Sequence, residues 1–213
     1  MNINLSSLPA AYINKDSRTD LNATFLETMA RLDYDNVTRY SREDDIEGKP
    51  FSGVMKANKD ILVAMKASGN RPFIIFEDDV KEINYSDVLS VPGNADAVYL
   101  GLAVFGEGFN ATAVEGFPHL YKITKPVGLH SVLYITKRYA DAFEAALDAE
   151  ISGGFSNSDQ PINQTIQYPL AEEFNVYAVN PIFYKHDVDD LTTTNLTRVV
   201  DITKDKIDPI KLG

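Results

Sequence analysis

The sequence predicts an α/β fold, a central and mainly parallel sheet flanked by helices on both faces. Short apolar runs alternate with segments whose apolar residues recur at helical spacing. One run, Pro72-Phe73-Ile74-Ile75-Phe76, is continuously apolar, as in a strand covered on both faces. It stops at three acids, Glu77-Asp78-Asp79, and ligands of such sheets bind at the carboxyl ends of strands.

The elements follow in order. Ala10 to Asn14 reads as a strand, and Asp20 to Leu32 as a helix burying Leu21, Phe25, Met29 and Leu32. Val37 to Tyr40 supplies a second strand. The acidic, Gly-Pro-containing segment Arg42 to Pro50 then breaks structure before a helix with Val54, Ile61, Leu62 and Met65 inward. After the strand ending at Phe76, Ala97 to Gly101 is another buried strand, and Phe105 to Pro118, rich in Gly and aromatics, is a loop or hairpin. Leu120 to Ile123 and Val132 to Ile135 read as strands, Lys137 to Glu150 and Asp159 to Tyr168 as helices, and Asn175 to Val179 as a last strand. From Pro181 no period survives, so a tail from about residue 190 is expected to wrap the body or begin a linker.

At 213 residues the chain fits a single domain, 1–213, and 44% hydrophobic with 24% charged residues suits a globular core with a cleft. A formal charge of -11 argues against a nucleic-acid partner, which would need clustered Lys and Arg to neutralise phosphates. A single diphosphate is still compatible, given a divalent cation or a few local basic groups. The chain has no cysteine, which excludes disulfides and thiolate chemistry. Met1 to Tyr12 carries no signal-peptide pattern and no window approaches a spanning helix, so no membrane insertion and a cytoplasmic location are expected, the host cytoplasm if the source is viral. Asn-x-Ser/Thr triplets, as at Asn36 and Asn195, are taken as composition.

Three carboxylates ending an apolar strand repel one another and lose solvation, which stability does not explain but a bound cation does. Oxygen ligands suit manganese or magnesium. The plain alternative is that Asp78 and Asp79 cap a turn. On the triplet alone both readings stand.

The motifs, taken together, resemble glycosyltransferase family 25, the lipopolysaccharide type, whose members also occur as domains in bacteria and large DNA viruses. Phe76-Glu77-Asp78-Asp79-Val80 is similar to that family's Asp-x-Asp metal element, Tyr12-Ile13-Asn14 with Arg18 to its opening strand and loop arginine, Asp96 to Gly101 to its Asp-x-x-Tyr-Leu-Gly strand, and Gly128-Leu129-His130-Ser131 with Tyr134-Ile135 to a later segment. Gly53-Val54 departs from the pattern, leading into Lys56-Ala57-Asn58-Lys59 where a Ser-His pair is usual. The resemblance covers about residues 10 to 190 and implies a GT-A-like nucleotide-sugar fold, a UDP-sugar donor (hexose or deoxyhexose) and a glycan acceptor. It implies Mn2+ or Mg2+ on Asp79 and Asp78, with Asp78 alternatively on the ribose, and Ile13, Asn14 and Arg18 near the nucleotide.

Other residues carry two readings each. His186 stands where many GT-A enzymes place a late metal-binding histidine, against a surface histidine in an acidic loop, with Asp189 and Asp190 in reserve as ligands. Asp159, before Pro161, is either a helix cap or the base that takes the acceptor hydroxyl proton. His130 reads as structural among apolar neighbours and His119 has no role. Tyr99, Phe105, Phe109 and Phe117 are core or stack on a ligand. Two alternatives remain: a nucleotidyltransferase using the same acids, disfavoured because Ala10 to Asp20 lacks the glycines of a phosphate loop, and a non-catalytic nucleotide-sugar-binding module.

Overall fold

The computed structural model of the chain describes residues 1–69, 72–103, 110–155 and 162–186. The strands are β1 (Asn2–Asn4), β2 (Ala10–Asn14), β3 (Val37–Ser41), β4 (Phe73–Glu77), β5 (Val80–Glu82), β6 (Val88–Ser90), β7 (Ala97–Ala103), β8 (Asn110–Val114), β9 (Phe117–Thr124), β10 (Val127–Tyr134), β11 (Val176–Val179) and β12 (Tyr184–His186). The helices are α1 (Thr19–Arg31), α2 (Ser52–Ala67), α3 (Lys137–Ser152) and α4 (Tyr168–Glu173), with a π-helical turn, Asn163–Gln167, leading into α4.

Eight strands form one sheet in the order β3-β2-β4-β10-β7-β11-β9-β8. The expected mainly parallel sheet is a mixed one. β2 runs parallel to β3 and β4, and β11 parallel to β7, whereas β10 is antiparallel to both β4 and β7, and β9 antiparallel to β11 and β8. An apolar run reports that both faces of a strand are covered and says nothing of its direction. Between β7 and β10 the chain makes the hairpin β8–β9 instead of a crossover helix, so β10 returns antiparallel.

Both faces are covered, as expected. On one, α2, α3 and α4 pack Met55, Ile61, Leu62, Phe143 and Leu170 against Ile75, Tyr99 and Val132. On the other, α1 brings Phe25 and Met29 onto Phe76 and Val98, joined by Ile3 and Leu89 from the small ribbon β1–β6 and Val80 and Tyr184 from the ribbon β5–β12. Burying this much apolar surface is the principal stabilising term.

Local chemistry fixes the joints. Asp45 Oδ1 accepts the Gly53 N–H at 2.8 Å and caps α2, and a Cβ on Gly53 would lie 2.2 Å from the Glu43 carbonyl oxygen, so the loop closes on the helix only over glycine. Thr136 caps α3 and donates its hydroxyl to Asp96 Oδ1 at 2.6 Å. Asp96, 1% exposed, also accepts Arg138 Nε and Nη2 at 2.8 and 2.6 Å and the Asn175 N–H at 3.0 Å. One carboxylate thereby ties the starts of β7, α3 and β11 together.

The late helix differs from expectation. Helical periodicity assigns it to Asp159–Tyr168, but the described residues show the π-helical turn followed by α4, which begins at Tyr168. Pro169 follows the π-helical turn directly, in the first turn of α4. The strands β1, β5, β6 and β12 are three residues each, too short to show a period.

Candidate functional site

The acidic triplet lies where the sequence places it, at the carboxyl end of a buried central strand. Phe73 to Phe76 are fully buried, Glu77 ends β4, and Asp78 and Asp79 form the turn into β5, each half-buried. Phe76 anchors the turn from below, packed edge-on against Phe25 at 5.7 Å, Tyr34 at 5.9 Å and Tyr184 at 5.2 Å between ring centres. The carboxylates therefore project from a strand whose preceding side chain is locked on three sides.

The neighbouring strand adds polar groups. Ile13 pairs with Glu77 in the parallel β2–β4 register, which sets Asn14 beside the turn. Asn14, 2% exposed, donates from Nδ2 to Asp78 Oδ2 at 2.5 Å and to the Arg18 carbonyl at 3.0 Å. Its Oδ1 accepts Arg39 Nε at 2.9 Å. The Arg39 Nη2 group reaches Asp16 Oδ1 at 2.6 Å, and Ser41 donates to the same oxygen at 3.0 Å. A polar chain thus runs Asp78, Asn14, Arg39, Asp16.

Electrostatics separate the members of this chain. Burial pushes the Asp78 carboxyl above its ordinary range, the adjacent charge of Asp79 pushes the same way, and the Asn14 hydrogen bond and Arg18 charge offset this only in part. The Asp16 carboxyl is held low by the hydrogen bonds of Arg39 and Ser41. Two adjacent carboxyl groups, one of them desolvated by burial, gain from a cation that offsets both effects.

Next to these groups opens a cavity of about 360 Å³ lined by Asn14, Asp16, Thr19, Asn22 and Arg39, a volume within the range of small-ligand sites. Tyr12, stacked on Phe25, donates its hydroxyl to Asn22 at 2.7 Å and holds that wall.

The remaining candidates fall as follows. Arg18 lies at the same loop, with Nε and Nη2 on Asp20 at 3.1 and 3.0 Å. The side chain of Ile13 is core, 3% exposed in the cluster that holds Val54 and Ile61, which leaves its backbone toward the site. His186 pairs with Val80 in the β5–β12 ribbon, so its backbone lies beside the residue following Asp79, while its side chain is outside the described residues. Asp159, Asp189, Asp190, Phe105 and Phe109 also lie outside the described residues. Among the described residues no group of three or more His, Asp or Glu side chains is placed to hold a metal.

His130 is fully buried, and a Cβ on Gly101 would meet its Nε2 at 2.4 Å and the Tyr184 carbonyl oxygen at 2.6 Å. Gly101 is thus the notch in which the imidazole and β12 rest. Tyr99 is core, its hydroxyl accepting from Gln167 Nε2 at 2.6 Å. His119, given no role by sequence, holds the Ser90 carbonyl through Nε2 at 2.6 Å.

Sequence reasoning passed over Asp16, Asn22 and Arg39. A signal existed for Arg39, a charged side chain in the middle of β3 opposite Tyr12, but it becomes informative only once the β2–β3 register is known.

No family model and no curated protein matches the chain. Solved structures that it is similar to include the following. One is a glycosyltransferase involved in the glycosylation of the major capsid of PBCV-1, with 10% identity over 81% of this chain and 92% of that chain, TM-score 0.44. The other is the nucleoside-diphosphate-sugar pyrophosphorylase from Vibrio cholerae RC9, with 14% identity over 82% of this chain and 73% of that chain, TM-score 0.45.

Proposed function

We propose that the chain is a GT-A-like glycosyltransferase that moves a hexose or deoxyhexose from a UDP-sugar to a glycan acceptor, with Mn2+ or Mg2+ on Asp79 and Asp78. The observation that carries this reading is the half-buried Asp78-Asp79 turn, hydrogen-bonded through Asn14 to an arginine at the wall of a ligand-sized cavity. Two hard oxygen donors fit either ion. Bound there, such an ion supplies charge neutralisation for a departing diphosphate.

The chain's own residues do the rest. Asn14 orients Asp78, and Arg39, ion-paired with Asp16 on the same cavity wall, supplies guanidinium donors there. Arg18, near enough to bias the Asp78 carboxyl, is a diphosphate contact in this reading, and His186 a further ion ligand. Asp159 is the base: the acceptor hydroxyl gives it a proton as the oxygen bonds the anomeric carbon and the UDP oxygen leaves with the old bond's electrons.

The test is release of UDP from a panel of UDP-hexoses. Wild type is expected to hydrolyse at least one donor only when Mn2+ or Mg2+ is added. Asp79→Ala is expected to lose about 100-fold or more of that rate while melting as a folded protein. Equal rates for the two proteins would remove Asp79 from the site.

A further inference from the structure

We propose that a second cavity, on the same carboxyl edge of the sheet as the acidic turn, binds a neutral sugar residue. It encloses about 480 Å³ between the β1–β6 ribbon, the start of β9 and the segment joining β11 to β12. Its polar wall is Asn84, Ser90, His119 and Asn180, and its apolar wall includes Phe183 and, at the mouth, Val88, which is 57% exposed.

None of the described residues lining this cavity is Asp, Glu, Lys or Arg, although the chain carries -11 formal charge. A phosphate or carboxylate would find no cation there, and an ammonium no anion, so an ionic ligand would be desolvated without compensation. Amides, hydroxyls and an imidazole both donate and accept, which suits hydroxyl groups, while Phe183 and Val88 suit the C–H face of a pyranose. The volume falls within the range of small-ligand sites.

One atom of the lining lacks a partner that a ligand hydroxyl would supply. Asn180 Oδ1 is closed to water and has no hydrogen-bond partner among the described residues. Buried acceptors are nearly always satisfied. The terminal torsion of an asparagine is soft, so a small rotation offers Oδ1 to a hydroxyl entering the cavity. The surrounding wall is already fixed, by Asn84 Nδ2 donating to the Ile182 carbonyl at 3.2 Å and by the His119 contact to Ser90.

The registers locate this cavity against the acidic turn. Ile75, Val132, Tyr99 and Ala178 form one row across β4, β10, β7 and β11. Glu77 and Asn180, each two residues further along strands of the same direction, therefore stand within one residue of the same height, the bulge between β7 and β10 shifting the row by that residue, and lie three strand spacings or roughly 14 Å apart. Resting on the transferase reading, a sugar held here is a unit of the acceptor glycan away from the reacting hydroxyl, contributing binding energy without touching the chemistry.

The test is amide chemical-shift mapping on the labelled full chain, titrated with the methyl glycosides of glucose, galactose and mannose to millimolar range, and with glucuronic acid as the anionic comparator. At least one neutral glycoside is expected to shift the Asn180 side-chain amide and the backbone of residues 84–90, and glucuronic acid to bind at least about tenfold more weakly. Val88→Arg, a surface change at the mouth that leaves the core intact, is expected to abolish the shifts, and Asn180→Ala to weaken them without lowering the melting temperature. No shift at these residues with any neutral glycoside, or shifts unaffected by Val88→Arg, overturns the proposal. Asp79→Ala is expected to leave this binding unchanged, so donor hydrolysis that survives Asp79→Ala with glycoside binding intact would refute the acidic site's role and not this one.

Discussion

Single side chains set most of this molecule's tolerances. Gly101 is required because a methyl group there would enter the space of the His130 ring and the Tyr184 carbonyl. Gly101→Ala is expected to cost about 3 kcal/mol in chemical denaturation, the upper range for overpacking, since one of the two obstacles is backbone. Asp96 shows how one buried carboxylate can be both costly and stabilising. Burial alone would raise its carboxyl, but hydrogen bonds from Arg138, Thr136 and the Asn175 N–H outweigh that and hold it below the ordinary value. A native value depressed below the unfolded one gives stability that is present above the unfolded range and lost as pH falls through the native value. Asp96→Asn is therefore expected to lower stability by about 2 kcal/mol at neutral pH, a deficit that closes on acidification. A deficit independent of pH in a melting series would show that the charge of Asp96 is not what stabilises the joint.

At the scale of elements, the long pieces were legible and the short ones were not. Both main helices of the first half, the buried run of β4 and the strand at Ala97 stand where periodicity puts them, because each buries a full face and burial writes a period into the sequence. Strand direction, the π-helical turn and the three-residue ribbons were not legible. They depend on contacts far apart in sequence, such as Tyr184 to His186 lying along Val80 to Glu82. The same limit applies to the site. The Asp78-Asp79 turn was visible as acids ending an apolar run, whereas Arg39 and Asp16 join it only through the β2–β3 and β2–β4 registers. Phe76 couples the element to its site, and Phe76→Ala is expected to cost about 3–5 kcal/mol. It is also expected to reduce donor hydrolysis beyond the loss of folded protein, because the turn then loses its aromatic anchor. Hydrolysis per folded molecule equal to wild type would show that the anchor serves stability alone.

Across the whole molecule, one mixed sheet carries both cavities on one edge, and its two faces are filled by separate apolar clusters. Among the described residues no helix is long and apolar enough to cross a membrane. The net charge of -11 gives the molecular surface a field that repels a free diphosphate, which makes cation dependence the natural signature of any nucleotide-sugar site here. The most direct test is titration calorimetry of UDP into wild-type protein with and without Mn2+. The account predicts binding that is at least about tenfold tighter with Mn2+ present. Binding of equal strength with and without the ion, or none in either, would contradict it.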